Sequence, residues 1–166
     1  MKSFLPACGA LMLVSCVLAP SAMAQKPGGT IEVGGWNIND SREANGSFNS
    51  CSAHFTWDDK STIAFVRSKA DTAVIMYEPT AKLVKDKIYP VSLQVDDNKP
   101  VLGMAGALSA QTVIVMIPQP EPMLAQLAAG NTLYLEVDGV DHSNPLEGSA
   151  NALKALDACL AKGLGS

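Results

Sequence analysis

The residues of this sequence best suited to chemistry are its two histidines and the carboxylates beside one of them. Asp138, Asp141 and His142 follow one another closely, and His54 lies far upstream. Carboxylate and imidazole groups are ligands for zinc and copper ions. A fold that brought His54 to the other three residues would create a metal site. The alternative is that residues 138–142 form an ordinary polar hairpin turn.

His54 is also the one residue that suggests hydroxyl-based catalysis, because Ser52 and Thr56 flank it. Such catalysis needs a histidine in contact with the hydroxyl and a carboxylate that orients the imidazole ring. Neighbours along one strand do not supply that geometry. The sequence also contains no Gly-x-Ser-x-Gly nucleophile turn, phosphate loop or dinucleotide-binding fingerprint. We therefore expect a non-catalytic protein without a cofactor.

The N-terminal segment has the organisation of a signal peptide. Lys2 precedes an apolar run, and Ala22-Met23-Ala24 then provides the small-x-small pattern of a signal peptidase site, with Gln25 following. The apolar run is broken by Pro6 and is shorter than the roughly 20 residues of a membrane span. Residues 1–24 are therefore predicted to be removed after Ala24, which leaves a periplasmic or secreted protein that begins at Gln25.

A second interpretation of the same segment involves Cys16. The residues that precede it, Leu13-Val14-Ser15, resemble a lipobox. In that case Cys16 would be the lipidated first residue of a membrane-anchored lipoprotein. The sequence leaves this alternative open, although the Ala22-Met23-Ala24 site favours the soluble form.

The exported chain contains Cys51 and Cys159. Paired cysteines in an oxidising compartment form disulfides, and this one would close a loop of roughly 100 residues, worth about 4–5 kcal/mol in the chain-entropy model. The alternative is two free buried thiols. Roughly 140 residues after residue 24 suit one domain. We predict a flexible leader at residues 25–30 and a single domain at residues 31–164.

Alternating apolar and polar residues predict antiparallel strands with one buried face. In residues 51–57, Cys51, Ala53 and Phe55 share one face and His54 lies on the other. Similar patterns predict strands at residues 31–38, 62–67, 72–78, 89–95, 101–107, 111–117, 132–137 and 140–146. A short helix is predicted at residues 121–129, and a longer one at residues 148–163 with Ser149 as its N-cap.

These elements predict a mainly β domain. The short connections favour an antiparallel β-sandwich or partly closed barrel of about eight strands, with the C-terminal helix packed on the sheet. Leu153, Leu156 and Leu160 form the apolar stripe of that helix. We expect it to lie across the strand of Cys51 as a structural lid, so that recognition takes place on the loops and on the opposite face of the sheet.

Three segments of the chain resemble a known family. They are the strand Tyr89 to Val95 with Asp96 after it, the short helix at residues 122–130 that leads into a strand, and the ending Pro145 to Leu156. Together, over residues 88–160, they resemble the invasion-associated locus B family of exported bacterial proteins. The resemblance implies a periplasmic or surface-associated β-rich domain, and it supplies no catalytic residues.

The charge pattern argues against nucleic-acid binding. The formal net charge is -4, and the arginines are Arg42 and Arg67, outside any basic cluster. We therefore predict an exported, non-catalytic binding or interaction module, stabilised by the Cys51–Cys159 disulfide, that engages another envelope protein. The alternative is a periplasmic small-ligand or metal binder that uses His54, Asp141 and His142. The sequence leaves the identity of the partner and the oligomeric state open.

Overall fold

The computed structural model describes residues 26–164. The predicted signal peptide, its cleavage site between Ala24 and Gln25, and Cys16 lie outside the described residues. Within them the chain forms ten strands and two helices, which confirms the predicted mainly β, antiparallel class. The elements are β1 (Lys26–Val33), β2 (Trp36–Arg42), β3 (Phe48–Thr56), β4 (Thr62–Ser68), β5 (Thr72–Tyr77), β6 (Ile88–Val95), β7 (Val101–Ala107), β8 (Thr112–Met116), α1 (Pro120–Ala129), β9 (Thr132–Val137), β10 (Val140–Pro145) and α2 (Ser149–Leu164).

All ten strands belong to one antiparallel sheet in the order β1-β2-β3-β4-β5-β8-β7-β6-β9-β10. The first five strands follow one another as hairpins. The chain then crosses to β6 and returns through β7, so that β8 pairs with β5 through Ile75 and Ile114. Helix α1 carries the chain back to β9, which pairs with β6 through Leu93 and Leu135. Among residues 26–164, β1 and β10 each have a neighbour on one side only, so the sheet is open.

The sheet curls strongly around its apolar face. β10 is five places from β5 in the strand order, and neighbouring strands lie about 4.8 Å apart, so a flat sheet would separate them by roughly 24 Å. Met76 on β5 and Val140 on β10 nevertheless line a single cavity. The curl brings inward-facing residues from β2 to β9 and from both helices into one hydrophobic core.

The first strand differs from its prediction. The segment predicted as one strand over residues 31–38 is a hairpin, in which β1 ends at Val33 and β2 begins at Trp36. Gly34 and Gly35 make the turn at φ angles of +59° and +84°, in the left-handed region that glycine enters without steric cost. β1 begins at Lys26, so residues 26–30 of the segment predicted as a leader belong to a strand.

The C-terminal helix packs on the sheet as predicted. Ala152, Leu153 and Leu156 are buried in the core, and α2 contacts β2, β3 and β4. The sulfur atoms of Cys51 on β3 and Cys159 on α2 are bonded, with a Cα–Cα distance of 6.2 Å, which confirms the predicted disulfide. The helix is therefore held to the strand beneath it by both apolar contact and a covalent bond.

Polar contacts fix the start of this helix. Ser149 was predicted to cap α2, but its hydroxyl instead donates to the carbonyl oxygen of Leu127 on α1, at 2.7 Å. The indole nitrogen of Trp36 donates to the carbonyl oxygen of Glu147, at 2.8 Å. Trp36 is fully buried and stacks on Phe65, with the ring centroids 5.2 Å apart. These bonds join the turn before α2 to the core and to the other helix.

Candidate functional site

His54 lies on the face of β3 that points away from the core. It is opposite Asn37 on β2 and Ala64 on β4. The side-chain nitrogen of Asn39 lies 3.2 Å from Nδ1 of His54. An amide N–H can only donate, so the imidazole accepts this bond in its neutral form. Partial burial also lowers the pKa of His54 from its ordinary value of 6.5, and both effects favour a neutral, structural side chain.

The other predicted metal ligands are divided between the two faces of β10. His142 pairs with Leu135 and shares its inward direction, whereas Asp141 pairs with Glu136 on the outer face. Asp138 lies in the turn between β9 and β10, with a φ of +53°. Successive side chains of a strand point to opposite faces of the sheet. The side chains of Asp141 and His142 therefore lie on opposite faces, although the two residues are neighbours in the sequence.

The metal site predicted from His54, Asp138, Asp141 and His142 is therefore not assembled. Six strands separate β3 from β10 in the sheet order, and His54 and His142 point to opposite faces. In residues 26–164 no group of three or more histidine, cysteine, aspartate or glutamate side chains is arranged to hold a metal ion. His142 has a different neighbour, which the sequence did not indicate.

That neighbour is Glu78, the residue that follows β5. Its Oε2 atom lies 3.9 Å from Nδ1 of His142, and the two side chains are only 18% and 20% exposed. The pair lies in a cavity of about 350 Å³. The connector after β5 and the β9–β10 hairpin form its walls, with lining residues Met76, Glu78, Thr80, Ala81, Lys82, Leu83, Gln111, Val113, Val137, Asp138, Val140 and His142.

The cavity has an apolar floor and a polar rim. Met76, Val113 and Val137 are buried core residues, while Lys82 and Asp138 are exposed at the edge. The Oε1 atom of Glu78 accepts hydrogen bonds from the backbone nitrogen and the hydroxyl of Thr80, at 3.0 and 2.6 Å. A cavity of this size, with an apolar floor and a few inward polar groups, is typical of small-molecule sites.

A second cavity, of about 420 Å³, lies between α2 and the first two strands. Its lining includes Ile31, Ile38, Cys159 and the ion pair between Arg42 and Asp40, whose atoms are 3.1 Å apart. The two charges of this pair offset each other. The groove therefore presents an apolar surface beside the disulfide, with Lys162 also in its lining.

Asp96 shows how one of the family-like residues is used. Its carboxylate accepts backbone hydrogen bonds from Asn131 at 3.0 Å and from Thr132 at 2.9 Å. These bonds fix the point where the chain leaves α1 and enters β9. The residue before Asn131 must be glycine, because a Cβ atom at Gly130 would lie 2.2 Å from a methyl group of Val95. The role of Asp96 is thus structural.

The outer face of the second half of the sheet carries exposed apolar side chains. We call the surface formed by Ile88, Leu102, Met104 and Met116 the apolar outer face; these residues are 55%, 77%, 57% and 50% exposed. Met104 is opposite Pro90 on β6, and the β7–β8 register places Met116 beside it. Ile88 and Ile114 approach each other across Gly106. The surface is continuous over β6, β7 and β8.

One pattern in the sequence indicates this surface. Residues 101–107 contain no charged or strongly polar side chain, which is unusual for a strand with a solvent-exposed face.

Neither of the two helices between residues 26 and 164 combines the length and the hydropathy needed to cross a bilayer.

No protein-family model and no curated protein matches the chain. Its fold is similar to that of a solved structure, invasion associated protein b from Bartonella henselae, with a TM-score of 0.56 and 24% sequence identity. The match covers 80% of this chain and 97% of that chain. The resemblance to the invasion-associated locus B family is therefore confirmed as a likeness of fold.

Proposed function

We propose that the protein is an exported, non-catalytic envelope protein that binds another envelope protein through the apolar outer face. The exposure of Ile88, Leu102, Met104 and Met116 on one side of the sheet is the observation that carries the proposal. Contiguous exposed apolar side chains on a folded domain are typical of interaction sites. Methionine is enriched and charge is depleted at the centre of such interfaces.

The disulfide supports a location of the protein outside the cytoplasm. A bond between Cys51 and Cys159 persists in an oxidising compartment, outside the cytoplasm. This agrees with the predicted signal peptide at residues 1–24, and the fold likeness to the Bartonella protein supports the same class of protein. The partner is therefore sought among proteins of the same envelope.

The contacts of the two histidines argue against one kind of catalysis, a serine or threonine hydroxyl activated by histidine. Among the described residues, His54 is bonded to the amide of Asn39 and His142 faces the carboxylate of Glu78. Neither forms a hydrogen bond with a serine or threonine hydroxyl in this part of the chain. A hydroxyl nucleophile activated by histidine needs such a bond.

Site-specific photo-crosslinking in intact cells tests the proposal. A benzoylphenylalanine at Leu102 should give a defined crosslinked product, whereas the same group at Thr56, exposed on the outer face of β3, should not. Met104→Lys should abolish the Leu102 product, because it places a charge in the contact. Identical products from both positions, or none from Leu102, would refute the proposal. A product that joins two copies of this chain would show that the apolar outer face forms a homodimer and would contradict binding to another envelope protein.

A further inference from the structure

The cavity around Glu78 and His142 has features that its structural role does not explain. It lies on the inner side of the sheet, opposite to the apolar outer face, so an inference about it is independent of the proposed function. Its floor is formed by the buried side chains of Met76, Val113 and Val137. A carboxylate and an imidazole ring are held at the edge of that floor with less than a quarter of each side chain exposed.

The spacing of these two groups leaves room for a third. The 3.9 Å between Oε2 of Glu78 and Nδ1 of His142 exceeds the 2.7–3.2 Å of an N–H···O hydrogen bond. Oε1 of the same carboxylate is already occupied by two donors from Thr80. Within residues 26–164 Oε2 accepts no hydrogen bond, so it is the carboxylate oxygen that can accept one from a ligand, beside the imidazole ring of His142.

A carboxylate oxygen beside an apolar floor determines the chemistry of the ligand. A ligand must bring an N–H donor to Oε2, and a positive charge on that donor matches the carboxylate. The exposed charges of Lys82 and Asp138 at the rim are of opposite sign and offset each other. We propose that this cavity is a binding site for a small primary amine with an apolar aryl or alkyl body.

The binding mode follows from the same contacts. The ammonium group donates to Oε2 of Glu78 beside the imidazole ring of His142, and the apolar body lies on Met76, Val113 and Val137. The cavity volume of about 350 Å³ is at the lower end of the range for ligand sites. It therefore suits a molecule with a single ring or a short chain.

Calorimetric titration of the purified protein with three matched probes tests this inference. 2-Phenylethylamine should bind, 2-phenylethanol should bind roughly tenfold more weakly, and 3-phenylpropionate should be weakest, because charge-assisted hydrogen bonds contribute more than neutral ones. n-Hexylamine should bind as well, since the floor contacts an apolar body without regard to its shape.

Two variants with the same change in charge assign the site. Glu78→Gln should weaken 2-phenylethylamine roughly tenfold or more and leave 2-phenylethanol nearly unaffected, while its amide oxygen still accepts from Thr80. Asp141→Asn also removes one negative charge but lies on the outer face of β10, so amine binding should persist. The inference is overturned if both amines fail to bind, if the acid binds as tightly as the amine, or if the two variants weaken binding equally.

Discussion

The hydroxyl of Ser149 donates a hydrogen bond of 2.7 Å to the backbone carbonyl oxygen of Leu127, and this bond joins the first turn of α2 to the last turn of α1. Both residues are almost completely buried. The carbonyl groups of the last helical turn have no partner within their own helix. Ser149 thus stabilises the end of one helix from the beginning of the next.

Ser149→Ala should therefore lower the free energy of unfolding by about 1–3 kcal/mol, since it leaves a buried acceptor without its donor. Urea denaturation measures the change. Ser143→Ala, at an exposed position of β10, is the control and should have almost no effect. Equal stabilities of the two variants would show that the bond between the helices is not important for folding.

Gly148 should be intolerant of any side chain. Its φ is +78°, and a Cβ atom would lie 2.6 Å from the carbonyl oxygen of Gly34. Gly46 has a similar φ of +87° and open space around it. Gly46→Ala should cost about 1–2 kcal/mol from backbone strain alone, and Gly148→Ala should cost clearly more, because it adds a clash with backbone. Thermal unfolding of both variants separates the cost of backbone strain from the cost of the clash. A similar loss of stability in both variants would contradict the close approach of Gly148 to Gly34.

Removal of the disulfide should destabilise the protein without changing its fold. The bond spans 108 residues of sequence, and the chain-entropy model gives about 4–5 kcal/mol for a loop of that size. Cys51→Ala, Cys159→Ala and the double variant should lose similar amounts of unfolding free energy, because each removes the same bond. Reductant should lower the stability of the wild type only. Additive losses in the double variant would point to two independently packed thiols.

The stability of the protein should fall in mildly acidic solution partly through His54. Burial lowers the pKa of His54 from 6.5 in the folded state, so the unfolded chain binds a proton at higher pH. Its contribution is therefore fully present above about pH 6.5 and is lost as the pH falls toward the lowered pKa. His54→Gln should reduce the decline in unfolding free energy between neutral and mildly acidic pH. Thr56→Ala, a nontitrating change on the same face of β3, should leave the decline as it is.

Processing of the N-terminus can be measured directly. Intact-mass spectrometry of the exported protein should find a chain that begins at Gln25, and Cys16→Ser should not change its mass or its release. Ala24→Tyr should block cleavage, because signal peptidase accepts only small residues at this position. A diacylglycerol-modified chain that begins at Cys16 would instead identify a lipoprotein.

Local patterns in the sequence determined most of the elements of this fold. Alternation with a period of two placed Cys51, Ala53 and Phe55 on the buried face of β3, and the leucine spacing placed α2. The position of Cys51 beneath α2 followed from these two patterns together with the presence of a second cysteine. Side-chain direction in a strand or helix depends only on nearby residues, so these features could be predicted without knowledge of the strand order.

The tertiary structure decided which distant residues meet. The pairing of β5 with β8 and the curl of the sheet bring Glu78 to His142, and they leave His54 on the opposite face. Tertiary packing also brings Ser149 to Leu127. It likewise leaves Leu102 and Met104 exposed. Strand order and curl result from the packing of the whole core. No short segment of sequence contains that information, and for this reason the predicted metal site was not assembled while the cavity at Glu78 was missed.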